Sequence, residues 1–182
     1  VYNGVDCTHK ERNHDRMFES SEMRIIFVGS IQEKKNLKLL VEAVGILLNE
    51  GLDLKLYIVG DAPSIQDQKY KNEVILLSEK YRIDNFIYFG YRSHPDQIMR
   101  ECDLLVLPSS EESFGMVIVE AMNLGLAVIG SDVGGIPEVI IDNESGLLFK
   151  NNVVTDLTDK IRLLYFDREF MKRLSINGAK RV

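Results

Sequence analysis

The sequence predicts a single α/β domain, a doubly wound, Rossmann-like parallel sheet with helices on both faces. Short apolar runs of strand length alternate with stretches whose apolar residues recur at helical spacing. Several of those runs stop at a glycine or a proline, as at Gly29, Gly60, Gly90 and Pro108. The 182 residues, 45% of them apolar, suffice for one hydrophobic core and are too few for two comfortable ones.

The elements follow in order. Residues 1–23 are polar and patternless, with charges at Lys10, Glu11, Arg12 and Asp15, and read as a linker ahead of a domain over 24–182. Residues 24–28 form an apolar run ending at Gly29, as suits a strand buried on both faces. Leu37, Leu40, Val41, Val44, Leu47 and Leu48 trace one face of a helix that Gly51 closes. A strand at 54–59, a helix at 74–81 and a strand at 86–89 come next. A short helix at 95–100 takes Ser93 or His94 as its cap, and a strand at 103–107 runs into Pro108. A helix at 114–124, with Ser113 as N-cap and Gly125 just past its end, leads to strands at 127–129 and 146–149. Helices at 153–165 and 169–176 complete the domain.

Composition excludes several classes. A net charge of −6 argues against a nucleic-acid partner, which needs a basic face. Cys7 and Cys102 are too few and too far apart for a disulfide framework, so a reducing, cytoplasmic setting is expected. His9, His14 and His94 form no ligand cluster, so no metal site is expected. No apolar run approaches the ~20 residues that cross a bilayer, and no leader is evident. The chain begins at Val1 and stops at Val182 within a basic, helix-like stretch, and so reads as part of something longer.

In open parallel sheets, ligands bind beyond the carboxyl ends of the strands, which nominates the loops at Gly29, Gly60, Gly90, Pro108 and Ser131. The richest is Pro108 to Met122, where Glu112 precedes a helix and Glu120 lies within it. Free N–H groups at Phe114, Gly115 and Met116 would favour an anion, and Gly115 has no side chain to obstruct it. The Glu120 carboxylate, an acceptor only, suits the two hydroxyls of a ribose. The plain alternative is that Glu112 complements the helix dipole and Glu120 faces solvent. Val117, Ile118, Val119 and Ala121 around Glu120 make a solvated face less natural.

This segment resembles the donor-site signature of retaining GT-B glycosyltransferases, glycosyltransferase family 4 (glycosyl transferases group 1). The matching residues are Pro108-Ser109, Glu112, Phe114-Gly115, Glu120-Ala121-Met122, Gly125, Val128, Gly134-Gly135, Glu138 and Gly146-Leu147-Leu148, with Ala127 where proline is usual. Asn3-Gly4-Val5-Asp6 is similar to the family's interdomain junction, so the likeness covers nearly the whole chain as the C-terminal half of a GT-B fold. The N-terminal acceptor domain would be absent.

The resemblance implies that a nucleoside diphosphate sugar (UDP-, GDP- or ADP-linked) is held here, without a metal or other cofactor, for retaining transfer to an acceptor on the missing domain. It gives Lys35 to the diphosphate and Glu112 to the sugar as the catalytic pair, with Glu120, Phe114, Gly115, Ser30 and Arg92 binding the donor. Ser30 stands where the family usually has arginine, which leaves more of the charge to Lys35; Lys34 reads as solvated. Gly60-Asp61 resembles a family turn, with Asp61 a turn-former, and Arg92 reads equally as a base-stacking residue or an exposed loop cation. The fragment alone would be inactive, and peripheral association of the full-length protein with the inner face of a membrane stays open. Two rivals remain: a non-catalytic nucleotide-sugar-binding module and a GT-B nucleotide-sugar epimerase. A dinucleotide oxidoreductase is disfavoured, because Gly29-Ser30-Ile31 lacks the G-x-G-x-x-G pattern.

Overall fold

The computed structural model describes residues 21–81, 83 and 86–182, so most of the expected linker, with Asn3-Gly4-Val5-Asp6 and Cys7, lies outside the described residues. Six strands, β1 (Met23–Val28), β2 (Leu54–Val59), β3 (Phe86–Tyr88), β4 (Leu104–Leu107), β5 (Ala127–Ser131) and β6 (Leu147–Phe149), form one sheet. All neighbours pair in parallel, in the order β3-β2-β1-β4-β5-β6. The helices are α1 (Leu37–Asn49), α2 (Ile65–Lys80), α3 (Asp96–Met99), α4 (Met116–Asn123), α5 (Ile136–Val139), α6 (Val154–Phe166) and α7 (Arg168–Arg181). This is the doubly wound fold the alternation predicts.

Strand order decides where a ligand can sit. From β1 the chain winds outward through β2 to β3, then returns to the other side of β1 and winds outward through β4, β5 and β6. Right-handed crossovers put the connecting helices of the two halves on opposite faces. Accordingly α1 packs on α2 and α6, while α4 packs on β5 and α7. The sheet reverses its winding between β1 and β4, so the loops after these two strands flank the topological switch point, where open α/β sheets bind ligands.

The core follows the predicted stripes. Every residue of β4 and β5 is buried, and Leu37, Leu40, Val41, Val44 and Leu47 of α1 are wholly sequestered beneath the sheet. Met23, counted with the linker in the sequence, is fully buried and opens β1 opposite Leu54. Among the described residues no helix is long and apolar enough to cross a membrane.

Several boundaries differ from expectation, each for a physical reason. Helix α2 begins at Ile65, far ahead of position 74, because its first turns are polar and mostly exposed and carry no apolar period. Its start is nevertheless encoded: the Ser64 hydroxyl accepts the Asp67 N–H at 3.1 Å. Helix α3 is capped by Pro95 and makes no side-chain cap hydrogen bond, so neither Ser93 nor His94 takes that role. Helix α5 and a 3-10 turn at Glu33–Lys35 were not expected from apolar periodicity, being too short to show any. Helix α7 continues to Arg181, whose guanidinium donates to the carbonyls of Val139 and Glu138 at 2.7 and 2.9 Å.

One glycine inside a helix is there for packing. A methyl group at Gly45 of α1 would lie 2.3 Å from the Tyr81 ring at the end of α2. Glycine to alanine in a helix interior ordinarily stabilises by about 0.5–1 kcal/mol, but overpacking costs about 1–3 kcal/mol, and the contact is with the near end of the ring, which cannot swing away cheaply. Gly45→Ala is therefore expected to lower the free energy of unfolding in a denaturant titration. In a Tyr81→Ala background the loss should be smaller, since the ring is gone and only the residue's Cβ, 2.7 Å from the added methyl group, still clashes.

Candidate active site

Two loops meet at the switch point. After β1, Ser30 donates to Gln32 Oε1 at 3.0 Å, and Gln32 Nε2 reaches Asp67 at 3.4 Å, tying this loop to the start of α2. The 3-10 turn follows, leaving Lys34 exposed and Lys35 turned inward. After β4, Ser110 donates through its N–H to the Lys34 carbonyl at 2.8 Å and through its hydroxyl at 3.2 Å. The two loops are thus joined backbone to backbone, and Asn151 beyond β6 adds a bond to the Ser110 carbonyl at 3.3 Å.

That seam brings together the two residues nominated as catalytic. Lys35 Nζ donates to Glu112 Oε2 at 2.5 Å, and the Ser109 hydroxyl donates to the same oxygen at 3.2 Å. The side chains of Lys35 and Glu112 are only 19% and 12% exposed. An ion pair this sheltered is less screened than a surface pair, and losing one member strands the other charge out of water. In the absence of a ligand, each of the two residues is the other's partner.

The Glu112 backbone is held from behind by a second loop. Gly135 N–H donates to the Glu112 carbonyl at 3.3 Å, and a Cβ on Gly134 would stand 1.7 Å from that same oxygen. Gly134 also has φ +53, a left-handed conformation that favours glycine. A Cβ on Gly135 would meet the Ser113 carbonyl at 2.4 Å. The Gly134-Gly135 pair therefore lets the β5 loop lie directly against residues 112–114. Apolar pattern gives no hint of this close approach, though two adjacent glycines after a strand are a signal for it.

The helix after Glu112 starts later than expected. Its N-cap is Gly115, at φ +82, rather than Ser113, which is exposed and caps nothing. The residue before a helix must leave helical dihedrals, and Gly115 does so through a conformation closed to Ser113 or Phe114 at ordinary cost. Ile118 N–H turns back to the Gly115 carbonyl at 2.8 Å. The N–H groups without intrahelical acceptors are thus those of Met116 and Val117, not the Phe114 N–H offered by the sequence. Phe114 is half-buried against the core.

Glu120, on the second turn of α4, is half-buried and has no hydrogen-bond or ion-pair partner among the described residues. Desolvation by burial holds its carboxyl above the usual glutamate range. The solvated alternative does not describe it.

Ser30 and Arg92 face a neighbouring cleft of about 420 Å³, lined also by Gly29, Gly60, Asp61, Pro63 and Tyr91. Arg92 is exposed and donates to the Tyr91 carbonyl at 3.0 Å, leaving the rest of its guanidinium uncommitted. Asp61 is engaged by Lys71 at 2.9 Å and by Ala62 N–H at 2.8 Å, which together hold its carboxyl down to about 2. A carboxylate so occupied is a turn-former and a poor general base. Among the described residues no group of three or more His, Cys, Asp or Glu is arranged to hold a metal ion.

The Gly134 contact yields a test of this architecture. Gly134→Ala is expected to destabilise the domain by about 2 kcal/mol or more, since strain at positive φ adds to a backbone clash. Gly51→Ala is the control: it has φ +88 but open space around it, and should cost only about 1 kcal/mol. Equal losses in denaturant titrations would mean that the β5 loop does not hold the Glu112 segment.

Comparison with known proteins agrees with this fold. The profile of the family described as glycosyl transferases group 1 matches residues 10–181. An uncharacterized glycosyltransferase of Methanocaldococcus jannaschii is 32% identical over 183 residues, covering 99% of this chain and 47% of the relative. The C-terminal domain of a glycosyl transferase group 1 family protein from Francisella tularensis superposes with TM-score 0.84 at 26% identity, covering 98% of this chain and 96% of that one. An Anabaena protein crystallised with UDP and glucose superposes with TM-score 0.88 at 22% identity, over 99% of this chain and 50% of its own, a likeness of fold. The chain spans about half the length of the curated relatives it matches. Its sequence over nearly its full length and its six-stranded parallel sheet make it a member of the glycosyl transferases group 1 family, with the fold of a GT-B C-terminal domain.

Proposed function

We propose that this chain is the donor-binding half of a retaining glycosyltransferase, and that it holds a nucleoside diphosphate sugar at the β1–β4 switch point and in the adjoining cleft of Ser30 and Arg92. The observation that carries the reading is the sheltered Lys35–Glu112 pair at the switch point, with a partnerless, half-buried Glu120 on the adjoining helix. An unpaired buried carboxylate is costly to a fold and is explained by a ligand that supplies donors. The Anabaena protein of the same fold carries UDP and glucose, which supports a nucleotide sugar as the ligand class.

In this reading the diphosphate takes Lys35 Nζ and the N–H groups of Met116 and Val117, a point charge joined to helix donors. Glu112, released from Lys35, accepts from sugar hydroxyls, and Glu120 accepts from the ribose. Ser30 and Arg92 line the adjoining cleft, where Arg92 has guanidinium N–H groups to offer the base or a phosphate. As the bond to the anomeric carbon breaks, negative charge grows on the leaving diphosphate, and Lys35 with the α4 N-terminus stabilises it without a metal ion. Transfer occurs with retention, to an acceptor held by a second domain of the longer protein. The second domain, a cytoplasmic setting and any membrane attachment belong to this proposal too. A nucleotide-sugar-binding module without catalysis shares every binding feature and differs only in failing to transfer.

Binding and stability should move in opposite directions at Glu120. Its folded-state pKa is raised above the unfolded value, so it favours folding below the unfolded pKa and that contribution is lost as pH rises through the folded pKa. Glu120→Gln is therefore expected to raise the denaturation midpoint at neutral pH, with the advantage shrinking as pH falls through the glutamate range. The same variant should weaken both the bare nucleoside diphosphate and the nucleotide sugar by about 1.5–3 kcal/mol in calorimetry, the worth of a charge-assisted hydrogen bond. Glu112→Gln should weaken only the sugar-bearing ligand, and Lys35→Ala should remove most affinity for either while Lys34→Ala changes little. Equal losses for both ligands in both glutamate variants would contradict this division of roles.

A further inference from the structure

We infer that Ser109 is a positioning residue for Glu112, and that it turns one oxygen of that carboxylate toward the ligand by occupying the other. The inference rests on the proposed role of Glu112 in contacting the sugar. Ser109 is wholly buried, yet it is polar, and a buried hydroxyl is costly unless bonded. It spends its one donor on Glu112 Oε2 at 3.2 Å, the atom that Lys35 also engages. Two donors converge on Oε2, while Oε1 has no hydrogen-bond partner among the described residues. A lysine alone is a flexible point charge and would follow the carboxylate through several rotamers. The serine, on a short side chain fixed to the end of a central strand, restricts it to one.

The serine is itself held from the next strand. Ser131, the last residue of β5 and also wholly buried, donates its hydroxyl to the Ser109 carbonyl at 2.5 Å. Ser109 Oγ is thus the end of a short relay running from β5 through the Ser109 backbone to the Glu112 carboxylate. Both hydroxyls are wholly buried and each is engaged in a hydrogen bond, Ser109 to Glu112 and Ser131 to Ser109. The relay accounts for the hydroxyls through what they hold in place.

The test uses Ser109→Ala, which removes the donor and adds no bulk, with Ser109→Thr restoring a hydroxyl. First, crystals of the 182-residue chain and of Ser109→Ala are compared without ligand. The Glu112 carboxylate is expected to leave its rotamer or to divide among several in the alanine variant, and an unmoved, fully ordered carboxylate would overturn the inference. Second, the affinity ratio between a nucleotide sugar and its bare diphosphate is measured by calorimetry. Ser109→Ala should reduce that ratio by about three- to tenfold, less than the full worth of a hydrogen bond to a charged group because the Glu112 carboxylate itself remains, with affinity for the bare diphosphate unchanged and Ser109→Thr close to wild type. In Ser109→Ala/Glu112→Gln the ratio should equal that of Glu112→Gln alone, because the serine acts through the glutamate; additive losses would overturn the inference. If the unaltered chain binds no nucleotide sugar, the functional reading fails, and the crystallographic comparison still decides whether Ser109 orients Glu112.

Discussion

The contact between Lys35 and Glu112 depends on a constraint of topology: the sheet reverses its winding between β1 and β4, and the loops after those two strands lie side by side. The ion pair spans the seam between them. The main chain brings the two segments together. Ser110 is bonded to the Lys34 carbonyl, Gly135 to the Glu112 carbonyl, and Gly134 is small enough to let the β5 loop lie against it. Three strands thereby fix two side chains, and neither charge needs a long, adaptable loop to find the other.

The pair also keeps both charges satisfied. A sheltered lysine or glutamate alone would be destabilising, but together they satisfy each other. Glu120 has no such cover, and its raised pKa records the cost. Stability conceded at a binding position is common where a ligand, rather than the fold, completes the hydrogen bonding.

The fold was legible because long-range pattern carries it: strands β1, β2 and β4 and helix α1 are apolar with clear periods, and they appear where the periods place them. Helix α2 was legible only in its second half, since its first turns are solvated and are held by a cap at Ser64 instead of a buried face. At the site, residue types and spacing singled out Glu112 and Glu120 and the family resemblance singled out Lys35, yet neither revealed that Lys35 and Glu112 bond to each other. That contact is set by backbone hydrogen bonds between segments 76 residues apart, as from Ser110 to Lys34, which leave no trace in local pattern. The start of α4 was misplaced because a serine is a common cap and a left-handed glycine a less common one. Ser109 and Ser131 went without a role for a related reason: their value lies in what a buried hydroxyl touches, and composition does not state that.

The central claim is that the β1–β4 switch point, marked by Lys35 and Glu112, is where a nucleoside diphosphate binds. Amide chemical-shift mapping of the 182-residue chain, titrated separately with UDP, GDP and ADP, tests it most directly. The account predicts that at least one of the three shifts Lys35, the segment from Ser110 to Glu120, and Gly134-Gly135 together, in a saturable manner. Shifts confined to the α1–α2 face around Lys38, Glu73 and Leu76, or no saturable shift with any of the three, would contradict it.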